Sequence, residues 1–221
     1  MRRPGRHVLL MTILMIGLLP GAWAAGDGLG TATKREKAAS ASPTDLFGLG
    51  KMEIGLSAGY GDAIPVGGTD DDELEEVEFV YVAPRFGIGI SDPMGGDAWY
   101  RGNLELLGEG AFLANLEPKD GFAGGITAML RYNFLPRGGG NFIPFVELGA
   151  GIIFLDIDLK NQADGFNFTP QGGFGFHYFV SERTAFTAEW RFHHISNAGT
   201  RDENDGINDS LVLGGVSVFF K

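Results

Sequence analysis

The residues in this chain best suited to bond-breaking chemistry are His194 and Ser196, in the run Phe192-His193-His194-Ile195-Ser196-Asn197-Ala198-Gly199. A hydroxyl becomes a nucleophile when a base takes its proton, and the base serves best when a third group fixes its tautomer. On a strand, residues i and i+2 share a face and lie about 6.6 Å apart along the axis. An imidazole leaning from position 194 can close that gap to the hydroxyl at 196. Asn197 and Gly199 follow, an amide side chain and a backbone N–H of the kind that receive a tetrahedral oxyanion. Next comes an acidic, turn-rich run, Asp202-Glu203-Asn204-Asp205-Gly206-Ile207-Asn208, in which Gly206 permits a tight return toward the next strand. The chemistry so assembled is acyl transfer to Ser196, with His194 moving the proton.

The element that must position these groups is an alternating strand that begins near Thr184. One face carries Phe186, Ala188, Trp190, Phe192, His194 and Ser196; the other carries Thr187, Glu189, Arg191, His193 and Ile195. In a soluble sandwich the first face would be the core. In a barrel embedded in a membrane it faces lipid, and a His-Ser pair at its rim would meet acyl chains. His193 is then an interior polar residue, and His177, near a cluster of aromatics, an amphipathic side chain at their belt. His193 and His194 point to opposite faces and cannot chelate together, so no metal site is expected. No cofactor is expected either: Gly138-Gly139-Gly140 lacks the strand-to-helix context of a phosphate loop.

Eight strand-like segments follow one another between turn signals. They run about Lys51–Tyr60, Val77–Ile90, Ala98–Leu113, Gly121–Phe134, Phe142–Asp156, Phe166–Val180, Thr184–Ser196 and Ser210–Phe220. Long or acidic linkers are expected after the odd segments, at Asp62–Glu76, Ala114–Asp120, Ile157–Gly165 and Asn197–Asp209. Shorter turns are expected after the even ones, at Ser91–Asp97, Leu135–Asn141 and Ser181–Arg183. Outer-membrane barrels have short periplasmic turns and longer outside loops, which puts Ser196 on the exterior side. Trp99, Tyr100, Phe134, Phe142, Phe145, Tyr178, Phe179, Phe219 and Phe220 gather at the other end, as a periplasmic girdle would. A soluble lipocalin-like barrel is the alternative, with its apolar face inward. Against it stand Glu105, Glu109, Arg131, Glu147, Glu189 and Arg191 on the opposite face, where mixed charges can pair inside a narrow lumen. The expectation is an all-β, eight-stranded antiparallel up-and-down transmembrane β-barrel, filled by side chains and too narrow for a pore.

The chain's beginning argues for export. Arg2, Arg3 and Arg6 precede an apolar run from Val8 to Leu19, and Ala22-Trp23-Ala24 offers a small-residue cleavage site. Residues 1–24 are expected to be a signal peptide, 25–47 a flexible leader of small and polar residues, and 48–221 the barrel. Cleavage would remove three arginines and no acid, taking the formal charge from −11 to −14. So acidic a chain repels phosphate backbones, and no nucleic acid is expected as a partner. There is no cysteine, so no disulfide can staple the exported chain. The run Asp70-Asp71-Asp72-Glu73, with Glu75, Glu76 and Glu78, is expected to be a solvated exterior loop, the alternative being a divalent-cation bridge to lipid phosphates.

The string His194-Ile195-Ser196-Asn197-Ala198-Gly199, followed by Asn204-Asp205-Gly206-Ile207, resembles the C-terminal signature of the lipid A 3-O-deacylases of the PagL type. The resemblance implies an eight-stranded barrel in the Gram-negative outer membrane. It implies a carboxylic ester hydrolase that removes the acyl chain at the 3-position of lipid A, with lipopolysaccharide as the substrate, and it leaves room for a homodimer. It maps the nucleophile onto Ser196, the base onto His194, the oxyanion donors onto the Asn197 side chain and the Gly199 backbone, and a supporting loop residue onto Asn204. The family's triad glutamate maps onto Asn208, a neutral residue that can orient a histidine but stabilises an imidazolium less. Glu203, Asp205 and Asp209 are the nearby acids that could take its place. The alternative is a non-enzymatic outer-membrane barrel with a structural or interaction role.

Overall fold

In the computed structural model, residues 42–64, 77–159 and 162–221 are described. The proposed signal segment, most of the leader and the acidic run at 70–76 lie outside them. A 3-10 turn, Pro43–Leu46, precedes nine strand segments: β1 Met52–Ala63, β2 Glu78–Gly89, β3 Gly102–Glu117, β4 Gly121–Phe134, β5 Phe142–Asp156, β6 Gly165–Phe168, β7 Gln171–Phe179, β8 Thr184–Ile195 and β9 Ile207–Phe220. Each pairs antiparallel with its neighbours, and β1 pairs with β9, closing the sheet. β6 and β7 are one stave. Both pair with β5 in the same register, Ile152 to Phe168 and Gly149 to Gln171, and only the segment at Thr169-Pro170 separates them. The barrel therefore has eight staves, as the alternation in the sequence predicts.

The pleat sorts the side chains inside out relative to a soluble barrel. Ile54, Leu56, Phe86, Phe122, Ile126, Leu148, Phe154 and Val216 are all more than half exposed or close to it on the outer face. In water so broad an apolar belt would be a liability; in a bilayer it faces its own solvent. The lumen holds the charges. Arg191 forks onto Glu109 at 2.7 and 2.8 Å and donates Nε–H to Glu147 at 2.8 Å. Arg85 forks onto Glu189 at 3.0 and 2.8 Å. Arg131 donates to Glu147 and Glu53, both at 3.0 Å. Buried charges persist only when paired and hydrogen-bonded, which these forks achieve. Gly173 faces Arg191 across β7 and β8, and a Cβ there would sit 2.1 Å from the Trp190 carbonyl, so only glycine fits beside that guanidinium's strand.

Apolar clusters close the lumen above and below this network. Phe79, Tyr81, Leu113, Ile153, Leu155, Ile195, Ile207 and Leu211 fill the end where β8 turns into β9, called the upper end here. Leu46, Phe47, Leu135, Ile143, Phe179 and Phe219 fill the lower end. Three details differ from the sequence reading. Pro43–Leu46 and Phe47, counted with the leader, are structured, because Leu46 and Phe47 bury their side chains among Phe179 and Phe219. Phe145, Phe179 and Phe219 are buried inside the lumen rather than in the aromatic girdle, whose outward members include Trp99, Tyr100, Phe142 and Tyr178. His177 is also inside, fully buried, with Nδ1 2.8 Å from Thr187 Oγ1 and Nε2 3.3 Å from an Arg131 nitrogen. An imidazole can bond at both nitrogens, and the lumen offers partners that the lipid side does not.

The alternation of loop lengths holds only in part. β3 begins at Gly102, not near Ala98, because the turn around Gly95 and Gly96, both at positive φ, carries the chain to a Met94–Gly102 bridge. The lower connection 90–101 is therefore longer than the upper connection 118–120. At the other edge, β9 starts at Ile207, so Asn208 and Asp209 are strand residues and not part of a long linker.

Candidate active site

The end of β8 and the start of β9 pair as His194 with Asn208 and His193 with Asp209. Because adjacent residues point to opposite faces, this one ladder carries two His–Asx pairs, one on each side of the wall. Inside, His193 Nδ1 lies 2.9 Å from Asp209 Oδ2, and its ring meets Tyr81 edge-on. Outside, His194 Nδ1 lies 2.8 Å from Asn208 Oδ1. The Asn208 carbonyl accepts the Nδ1–H, which leaves Nε2 as the basic nitrogen of a half-buried ring on the lipid face. Asp209 is thereby committed to His193 in the lumen, and the Glu203 and Asp205 side chains are exposed, away from this ladder.

Ser196 follows on the same outer face. Its backbone is pinned to β6, with Ser196 N–H donating to Phe168 O at 3.1 Å and Phe168 N–H returning to Ser196 O at 2.8 Å. The His194 N–H donates to Pro170 O at 3.1 Å. His194 and Ser196 thus stand on one rigid strand edge, two residues apart, and their side chains make no mutual hydrogen bond in this unliganded state. Such contacts commonly tighten only once substrate is bound.

Beyond Ser196 the chain makes a compact turn. Ala198, at φ 54°, and Gly199, at φ 74°, occupy the left-handed region that lets the strand double back. Asn197 organises that turn from inside: it is fully buried, its Nδ2 donates to Glu203 O at 2.8 Å, and its Oδ1 accepts the Gly199 N–H at 2.9 Å. Asn204 Oδ1 accepts the Asn197 N–H at 2.7 Å. The two groups expected to meet an oxyanion, the Asn197 amide and the Gly199 N–H, are therefore both engaged within the loop. Neither points free at Ser196.

Two contributors carry no sequence signal. Gln162, buried in the connection between β5 and β6, accepts the Gly206 N–H at 3.0 Å and donates to Asn167 Oδ1 at 2.7 Å. Gly206 itself backs the histidine ring: a Cβ there would stand 2.8 Å from His194 Cε1. Arg201 adds a bond to the Asp164 carbonyl, so the two upper loops are fastened together. These partners lie 37 to 44 residues apart, and nothing local in the sequence marks them.

A family model described as lipid A 3-O-deacylase (PagL) matches residues 84–217, more than half of the chain and all of the β8–β9 site. No curated protein matches the chain. Among solved structures, the outer membrane enzyme PagL is similar at 18% identity, over 74% of this chain and 97% of that one, with a TM-score of 0.49. Neisserial surface protein A, NspA, is similar at 16% identity, over 77% of this chain and 99% of that one, with a TM-score of 0.50, which shows a shared barrel fold. The apolar outer wall, the closed eight-stave sheet and the family match place the chain in the outer membrane of a Gram-negative cell. The chain belongs to the lipid A 3-O-deacylase (PagL) family.

Proposed function

We propose that this barrel hydrolyses the ester-linked acyl chain at the 3-position of lipid A, with Ser196 as nucleophile and His194 as general base. The observation that carries the reading is the 2.8 Å bond from His194 Nδ1 to Asn208 Oδ1, on the lipid face and two residues from Ser196. It holds the imidazole in the tautomer whose Nε2 can take the Ser196 proton. Ser196 Oγ adds to the ester carbonyl, and the tetrahedral intermediate collapses as His194 returns the proton to the departing sugar oxygen. Water, activated by the same nitrogen, then frees the fatty acid. For Asn197 and Gly199 to receive the oxyanion, the substrate oxygen must displace Asn197 Oδ1 from the Gly199 N–H, or Glu203 O from Asn197 Nδ2. All of these groups come from one chain, so the chemistry needs no second copy. The leader 1–24 belongs to the same reading, as the signal that sends the chain out of the cell.

The occupied oxyanion donors and the neutral Asn208 favour a second reading, a barrel that keeps the architecture and does not turn over. Purified protein mixed with lipid A in detergent separates the two. Release of one hydroxyacyl chain from the wild type and none from Ser196→Ala supports hydrolysis; no release from either supports the second reading.

A further inference from the structure

The outer face of the barrel holds a trough that begins at the proposed site. The register, followed sideways from His194, passes through Pro170, Ala150, Ala128 and Gly108 on β6–β7, β5, β4 and β3. All four are exposed and small or flat. The parallel row that starts at Ser196 passes through Phe168, Ile152 and Ile126. The row on the other side, from Phe192, passes through Leu148, Leu130 and Leu106. A line of small residues thus runs between two lines of bulky apolar ones. The surface there encloses a concavity of about 730 Å³, lined by Gly108, Gly110, Ala128, Ala150, Ile152 and Phe168 among others. A Cβ built on Gly108 meets nothing within 4 Å, so the trough is still open at its far end.

Its direction follows from the stagger of the staves. One circuit from Ser196, through Phe168, Ile152, Ile126, Gly110, Pro84, Leu56 and Val216, returns to β8 at Phe186, ten residues below the start. Every step toward β3 therefore descends from the upper rim toward the middle of the barrel wall. Four inter-strand spacings of about 4.8 Å carry the line about 19 Å from His194 to Gly108.

We propose that this trough holds the scissile acyl chain, with the ester at Ser196 and the chain end over Ala128 and Gly108. The inference rests on the deacylase reading and extends it to chain-length selection. A chain laid between the two rows has fixed direction, so its ester carbonyl arrives at Ser196 in one orientation, which is worth more to the rate than contact area. Bulk lipid offers the same apolar surroundings without that alignment. The far end of the floor, where a Leu at 108 or 128 would fill the gap, is then the ruler.

The test uses the mature chain refolded in detergent micelles, with p-nitrophenyl butyrate and p-nitrophenyl dodecanoate as probes. Ala128→Leu and Gly108→Leu should each lower the dodecanoate-to-butyrate ratio of kcat/KM by about tenfold or more, since displacing a seated chain by an ångström is enough for such a loss. Val216→Phe, equally lipid-facing but off the trough, should leave the ratio unchanged. Heat-modified mobility on gels confirms that each variant is a closed barrel. Hydrolysis with an unaltered ratio in both trough variants overturns the trough and spares the deacylase reading. No hydrolysis of either ester or of lipid A by the wild type overturns that reading, and the trough with it.

Discussion

His194 and Ser196 were legible in the sequence because a period of two fixes which residues share a face, and no tertiary knowledge is needed to apply it. The role of Asn208 was not. Read as loop, it is one of several polar candidates; as a strand residue it is set opposite His194 by register alone. That placement yields two predictions for purified protein acting on lipid A. Asn208→Ala should lower kcat by about ten- to a hundredfold, the usual worth of an oriented proton carrier. Asn208→Glu should match or exceed the wild type, because a carboxylate opposite the developing imidazolium stabilises it more than an amide does. A silent Asn208→Ala would show that the 2.8 Å bond does not serve the reaction. His193 provides the internal control. Its ring bonds Asp209 in the lumen, so His193→Ala should retain kcat while lowering stability, because it leaves Asp209 buried without its partner.

At the scale of elements, β4 and β5 start and end where alternation and turn residues place them, at Gly121–Phe134 and Phe142–Asp156. β3 did not, since Ala98, Trp99 and Tyr100 look strand-like but serve a turn with two glycines at positive φ before them. The clamp of Gln162 on Gly206 was invisible for a different reason: it joins loops that only the closed barrel brings together. Its function is to keep the β9 side of the turn behind the His194 ring. Gly206→Ala is doubly unfavourable, with φ at 76° and the new methyl 2.8 Å from Cε1. It should lower kcat on lipid A by about tenfold or more, with the barrel still shifting on heated gels, because the imidazole and not the sheet must move. Unchanged kcat would mean that the ring tolerates displacement and that the loop does not position it.

For the whole molecule, the sequence disclosed the inverted distribution, charges on one face of each strand and apolar residues on the other. It could not disclose the pairing, because which guanidinium meets which carboxylate depends on the stagger of the staves. Glu147 is the joint of that network, accepting from Arg131 through one oxygen and from Arg191 through the other. Glu147→Ala would leave both cations short of a partner in a dry lumen, a loss of about 3–5 kcal/mol, measurable as a lower urea midpoint for unfolding from bilayers. A change within about 0.5 kcal/mol would mean that the remaining carboxylates absorb the loss. The lower plug of Leu46 and Phe47 shows the same limit: two apolar residues at the end of a polar stretch gave no sign that they close a lumen.

The central claim, that Ser196 on the lipid face removes an acyl chain from lipid A, is met most directly by mass spectrometry of lipid A from cells expressing the wild type or Ser196→Ala at equal levels in the outer membrane. The account predicts a species lighter by one hydroxyacyl group with the wild type and its absence with Ser196→Ala. The same lighter species in both strains, or in neither, would contradict it.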